Sequence, residues 1–207
     1  MKNLSILLQY FPEFKQEQLE KLEKFSELLL EWNSKINLIS RKDIDNLFEH
    51  NILHSLAIAK FFNFKKTTKI IDLGTGGGLP GIPLAIVFPD VHFDLVDSIT
   101  KKIIAVKDMC EKLNLKNVNT LNVRAETLKP NYDFVVSRAV TNFENFYKLS
   151  KNLFRKKDNN QLQGIIYLKG GDFKQELQNF NNYVIYSISD CYEEEFFFTK
   201  KIIFLQK

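Results

Sequence analysis

The chain has 207 residues, 44% hydrophobic and 26% charged, with a formal net charge of +4. That length fits one α/β domain with an extension better than two full domains. No stretch approaches the run of about 18 apolar residues that a membrane span needs, so a spanning helix is excluded. The small positive excess is spread along the chain and by itself argues little for a nucleic-acid partner. A basic stripe would have to be assembled in space, for instance from Lys101, Lys102, Arg124, Arg138 and Arg155-Lys156-Lys157.

The chain starts with only a short apolar run before Gln9 and no small-residue cleavage pattern, which speaks against a secretory signal. Cys110 and Cys191 lie far apart without metal-ligand spacing, as suits a reducing compartment; a cytoplasmic location and no metal are expected. Residues 13 to 32 carry apolar positions at Phe14, Leu19, Leu22, Phe25, Leu28, Leu29 and Trp32, the spacing of an amphipathic helix. Residues 43 to 62 repeat it with Ile44, Leu47, Phe48, Ile52, Leu56, Ile58 and Phe61, so residues 1–66 read as an all-helical extension. Trp32 is expected to anchor that extension on the sheet. His50 and His54 stand four apart on one helical face, but with no third ligand they read as ordinary helix residues.

After Lys65-Lys66-Thr67-Thr68 the pattern changes to short β-branched or aromatic runs: Lys69–Leu73, His92–Asp97, Val118–Val123, Phe134–Ser137 and Ile165–Leu168. Helical stretches at Ile82–Phe88, Lys101–Leu113, Phe143–Phe154 and Phe173–Phe180 alternate with them, which predicts βαβ units and a parallel sheet over 67–207. Tyr183–Ser189 and Phe196–Gln206 have no helix between them and read as an antiparallel pair closing the sheet, with Phe196-Phe197-Phe198 in a buried strand. The polar stretch Lys156–Gln163 reads as a loop.

Between the first strand and the next helix lies Asp72-Leu73-Gly74-Thr75-Gly76-Gly77-Gly78-Leu79-Pro80-Gly81. Such glycines allow positive φ and present no Cβ to an approaching ligand, and the amides opening the following helix could face an anionic or carboxylate-bearing group. The second strand ends at Asp97, where a carboxylate at the carboxyl edge of an open sheet can accept hydrogen bonds from a ribose diol. Strand, glycines, helix and acid together indicate a nucleotide cofactor. A nicotinamide dinucleotide wants G-x-G-x-x-G, matched only from Gly76 by Gly76, Gly78 and Gly81. Asp72, Gly74, Gly76 and Gly78 instead fit the Asp-x-Gly-x-Gly-x-Gly spacing of S-adenosylmethionine loops at every position. The expected fold is therefore a Rossmann-like class I methyltransferase with a mainly parallel seven-stranded sheet and a helical N-terminal extension.

The run Ile71–Ala85, with Pro80 and Pro83 set among its glycines, resembles the signature of the RsmG (GidB) family of bacterial small-subunit ribosomal RNA methyltransferases. Further matches are Trp32-Asn33, Asn37-Leu38, Asp97-Ser98 with Lys101, Arg124-Ala125-Glu126, Tyr132-Asp133, Val136-Ser137-Arg138-Ala139 and Leu168-Lys169-Gly170. Two places depart from it: Asn51-Ile52-Leu53-His54-Ser55 stands where many members have His-Ile-Leu-Asp-Ser, and Lys102 stands where arginine is common. The resemblance implies methyl transfer to N7 of a guanine in the decoding-region loop of 16S ribosomal RNA by a monomer. It implies cofactor contacts from Gly74, Leu79, Asp97, Ser98, Ala125, Glu126 and Arg138, beside Asp72, Gly76 and Gly78 from the loop spacing. Arg138 and Arg124 are candidates for positioning substrate, although either could simply pair with Glu126 or Asp133. The competing functions are a nicotinamide-dependent oxidoreductase, a methyltransferase acting on protein or small molecules, and a non-catalytic RNA-binding ribosome-assembly factor.

Overall fold

Side chains alternate between the two faces of a strand, and this sorts the interior into two cores. In the computed structural model, which describes residues 2–40, 43–138, 141–156 and 162–207, Ile70, Phe93, Val136, Ile166 and Phe204 enter one core. Their strand neighbours Ile71, Val135, Ile165, Ile203 and Leu205 enter the other. The strands are β1 (Lys69–Leu73), β2 (His92–Val96), β3 (Val118–Leu121), β4 (Phe134–Arg138), β5 (Gly164–Gly170), β6 (Tyr183–Ser187) and β7 (Lys200–Gln206). They form one seven-stranded sheet in the order β3-β2-β1-β4-β5-β7-β6. The first five run parallel, and β7 is antiparallel to both β5 and β6. The strand order reverses between β1 and β4, the switch point beside which open α/β sheets bind ligands.

One face is covered by α1 (Lys2–Tyr10), α2 (Gln16–Lys35), α3 (His54–Phe61), α4 (Gly81–Val87) and α5 (Thr100–Lys112). Leu7, Leu22, Phe25, Leu29, Ile52 and Leu56 share a single cluster with Leu84, Met109 and the sheet residues, so the N-terminal helices complete this core. The other face is covered by α6 (Phe143–Ser150) and a short 3-10 turn, Lys174–Leu177.

Several local expectations are corrected. The initial apolar run forms α1, which buries Leu7. The second N-terminal helix becomes a six-residue π-helical turn, Phe48–Leu53, running straight into α3. Residues Phe173–Phe180 form only the 3-10 turn, and β7 begins at Lys200 because Glu195–Thr199 is also 3-10. A tight turn there drops Phe197 into the core while leaving Phe198 58% exposed; a strand would have sent the two to opposite sheet faces. Trp32 packs against that same core and is also tied to α5, donating from Nε1 to Asp108 Oδ2 at 2.8 Å. The loop expected at Lys156–Gln163 falls largely outside the described residues, as do Lys157 of the basic run and Ala139 of the Arg138-Ala139 motif. No helix among the described residues is long and apolar enough to cross a membrane.

Candidate active site

The glycine loop is built mainly by its own backbone. Gly74, Gly76 and Gly78 take φ values of 75°, 58° and 86°, which side-chain-bearing residues adopt only with strain. The Gly74 and Thr75 amides both donate to Val96 O at 2.9 Å, fastening the loop to the end of β2. Asp72 closes it from beneath: its Oδ2 accepts from Thr75 Oγ1 at 2.7 Å and from Gly81 N at 2.8 Å. Asp72 Oδ1 has no partner. Burial pushes this carboxyl up to about 7, against the lowering effect of the two hydrogen bonds and the Arg138 charge. A Cβ at Gly81 would lie 2.2 Å from Leu95 Cδ2, and one at Gly78 would lie 2.4 Å from Ile82 Cδ1. At Gly76, by contrast, the nearest atom would be Gly74 O at 3.9 Å.

The start of α4 is not the anion site that its place in the sequence suggests. Gly81 N is taken by Asp72, Ile82 N donates to Gly78 O, Leu84 N donates to Pro80 O, and Pro83 has no amide hydrogen. The carboxylate at this helix end is the protein's own, so little remains there for a pyrophosphate.

Asp97, just beyond β2, accepts from Ile99 N through Oδ1 at 2.9 Å and from Gly76 N through Oδ2 at 3.1 Å. Each oxygen keeps a second lone pair. Lys102 Nζ lies 4.0 Å from Oδ2, a long contact.

Arg138 ends β4 and reaches across to the N-terminal layer. Nη1 donates to His50 O at 2.9 Å and Nη2 to Asn51 Oδ1 at 2.7 Å. Burial lowers it to about 10 while Asp43 and Asp72 favour its charge, so it stays cationic at neutral pH. Neither Glu126 nor Asp133 is its partner; Asp133 pairs with Arg155 at 2.6 Å.

These groups surround a cleft of about 950 Å³ at the carboxyl edge of the sheet. Gly74, Gly76, Leu79, Asp97, Ser98, Arg124, Ala125, Glu126 and Arg138 line it. Asp72 and Gly78 are not among the lining residues; they hold the loop in shape. Arg124 and Glu126 are exposed at the rim. The opposite wall contains residues that sequence reading did not assign to the site: Asp43, Asn51, Phe196, Lys200 and the two histidines. His50 stacks on Phe196 with centroids 3.8 Å apart, and Lys200 Nζ lies 4.4 Å from that ring's centroid. His50 Nδ1 is 2.9 Å from Asp43 Oδ1. His54 is buried, and burial with the Arg138 and Lys200 charges holds it well below the usual imidazole range, hence neutral. Among the described residues no group of three His, Cys, Asp or Glu side chains could hold a metal. In the sequence this side was signalled by the His50/His54 pair, the Asn51–Ser55 segment and Lys169, without any sign that they face the glycine loop; the wall joins segments some 150 residues apart.

A family model described as GidB, rRNA small subunit methyltransferase G, matches residues 18–201. The chain belongs to this family. The Ribosomal RNA small subunit methyltransferase G of Bacteroides thetaiotaomicron is 48% identical over 205 residues, covering 98% of this chain and 100% of the relative. That of Christiangramia forsetii is 49% identical over 203 residues, covering 98% and 96%. Among solved structures, M. jannaschii TYW2 in complex with AdoMet aligns with a TM-score of 0.56 at 14% identity, covering 75% of this chain and 74% of that one. A precorrin-6y C5,15-methyltransferase from Geobacter metallireducens aligns at 0.55 with 12% identity, covering 83% and 92%. At such identities the likeness is one of fold, and the fold is that of the class I methyltransferases. The loop suits that class. The Gly74, Thr75, Gly76, Gly78 and Leu79 amides are spent on shaping the chain, the space over Gly76 is open, and Asp97 has spare acceptor capacity. A phosphate-free ligand with a ribose diol asks for no more from these elements.

Proposed function

We propose that this chain, a methyltransferase of the small-subunit ribosomal RNA family, transfers the methyl group of S-adenosylmethionine to N7 of a guanine in the decoding-region loop of 16S ribosomal RNA. It acts as a cytoplasmic monomer, with residues 67–207 as the catalytic unit and 1–66 as its helical extension. The observation that carries this reading is the family match over residues 18–201, together with a cleft whose lining holds the cofactor-contact residues that the family resemblance implies.

Bound there, the cofactor supplies an electrophilic methyl on a sulfonium. Asp97 would accept from the ribose hydroxyls, Gly74, Gly76 and Leu79 would hold the methionine portion, and Ser98, Ala125 and Glu126 the adenine. Asp72 and Gly78 act indirectly, by fixing the loop. Arg138 is held against the N-terminal helices and positions cofactor and substrate at the meeting of the two walls. Arg124, at the rim, meets phosphate or the guanine edge. Guanine N7 carries a free lone pair and no proton, so it could take the methyl group without a proton having to be removed. No general base is required, and the protein's task is alignment and desolvation. The mostly buried residues around Arg138 serve that task.

Mass-spectrometric mapping of 16S ribosomal RNA from cells with and without this gene tests the reading: one N7-methylguanosine should disappear in the deletion. An unchanged inventory would overturn it. Calorimetry should show binding of S-adenosylhomocysteine and none of NAD(P).

A further inference from the structure

The π-helical turn Phe48–Leu53 presents His50 O and Asn51 Oδ1 to Arg138 together. Such turns interrupt the regular ladder and often occur at functional sites. The contact also settles which way the Asn51 amide points. A guanidinium has only donors, so the amide oxygen must face Arg138 and Nδ2 must point elsewhere. Nδ2 has no hydrogen-bond partner, although Asn51 is 2% exposed and lines the cleft. If holding Arg138 were its whole task, aspartate would do so through a charge-assisted bond and strand no donor. The amide thus keeps a buried N–H without a partner in a residue that borders the cleft.

We infer that Asn51 is a specificity-determining residue whose Nδ2 donates to O6 of the target purine. This deepens the reading of the preceding subsection and rests on it. On guanine the Hoogsteen edge presents N7 and O6 side by side, both acceptors; on adenine the neighbour of N7 is an amino donor. A donor fixed next to the reacting nitrogen therefore accepts guanine and meets adenine with donor against donor, leaving the buried N–H unpaired. Arg138 orients the amide through Oδ1, which joins placement of the purine to the same guanidinium that lies beside the cofactor region. The π-turn makes this arrangement possible, because it brings a main-chain carbonyl and the next residue's side chain to the same cation.

The test uses small-subunit particles whose 16S RNA carries guanine, inosine or 2-aminopurine at the mapped nucleotide, with the intact protein and its N51D variant. N51D keeps an oxygen facing Arg138 and replaces the donor by a second, negatively charged acceptor oxygen. Inosine retains O6 and lacks the 2-amino group, whereas 2-aminopurine lacks O6. On guanine and on inosine alike, N51D should lower kcat/KM by about tenfold to a hundredfold relative to its effect on 2-aminopurine. Equal losses on all three bases would show a merely structural role and overturn the inference. A wild-type enzyme that leaves the guanine particle unmethylated overturns the underlying reading instead. Should N51D not fold, judged by S-adenosylhomocysteine binding, the wild-type protein still decides: it should favour inosine over 2-aminopurine by at least about tenfold, and no preference sinks the proposal.

Discussion

The two walls of the cleft are built on different principles. The glycine-loop wall is contiguous chain, shaped by main-chain amides, positive-φ glycines and one buried carboxylate, Asp72, that ties residue 75 to residue 81. The facing wall is assembled from side chains of distant segments, in which Asp43, the π-turn and the Phe196–Lys200 region meet around Arg138. A wall of backbone amides has little room to adjust and suits an invariant cofactor. A wall of side chains can be altered residue by residue without disturbing the loop, as suits recognition of one particular base. Asn51 and His54 both fall on that second wall.

The largest effect should come from removing the cation at the seam. Arg138→Leu strands His50 O and Asn51 Oδ1 and takes a positive charge away from Asp72. It is expected to cost about 3 kcal/mol or more in denaturant unfolding and to abolish methyl transfer. Arg138→Lys should recover little, because one ammonium cannot reproduce two divergent guanidinium bonds; full recovery would mean that the charge alone matters. Gly81→Ala comes next. Its Cβ would collide with Leu95 and Asp72, and about 1–3 kcal/mol of stability should be lost. Gly76→Ala meets open space, so its cost should be confined to the backbone strain of φ 58°, about 1–2 kcal/mol. Thermal unfolding of the pair measures whether crowding or dihedral strain dominates along the loop.

Asp97→Ala should weaken S-adenosylhomocysteine binding by about 1–3 kcal/mol in calorimetry, and unaltered affinity would remove Asp97 from the ribose. The most specific effect concerns Asp72. Its carboxyl rises from 3.8 in the ordinary case to about 7 in the folded protein. The folded state therefore binds more protons than the unfolded one between those values. Stability from this group is fully present below about 4 and is lost as pH rises through 7. Asp72→Asn keeps an acceptor for Thr75 and Gly81 and should flatten that component in unfolding curves between pH 4 and 7. An unchanged slope would show that Asp72 is not its source.

Much of the first wall could be read directly from the order of residues. Lys69–Leu73, the glycines and Asp97 are close in sequence, and their spacing is itself the geometry of a strand, a turn and a neighbouring strand. The use of the α4 amides was misread from the same segment, since spacing does not reveal that Asp72 folds back to occupy Gly81 N. Near the C-terminus, Phe196-Phe197-Phe198 suits a strand by composition. The three rings instead go to a histidine stack, the core and solvent, because the chain must turn between Tyr192 and β7 before pairing can start.

By itself the sequence determined the α/β class, the cofactor loop and the family, because each depends on local periodicity or on short motifs whose chemistry is carried by neighbours in the chain. Only the tertiary structure decided that the N-terminal helices complete the core, that Arg138 bonds to the π-turn, and that Asn51, His50 and Phe196 share a cleft with Asp97. Those relations join positions tens to more than a hundred residues apart. They are set by how the helices close over the sheet, and no local pattern encodes that closure.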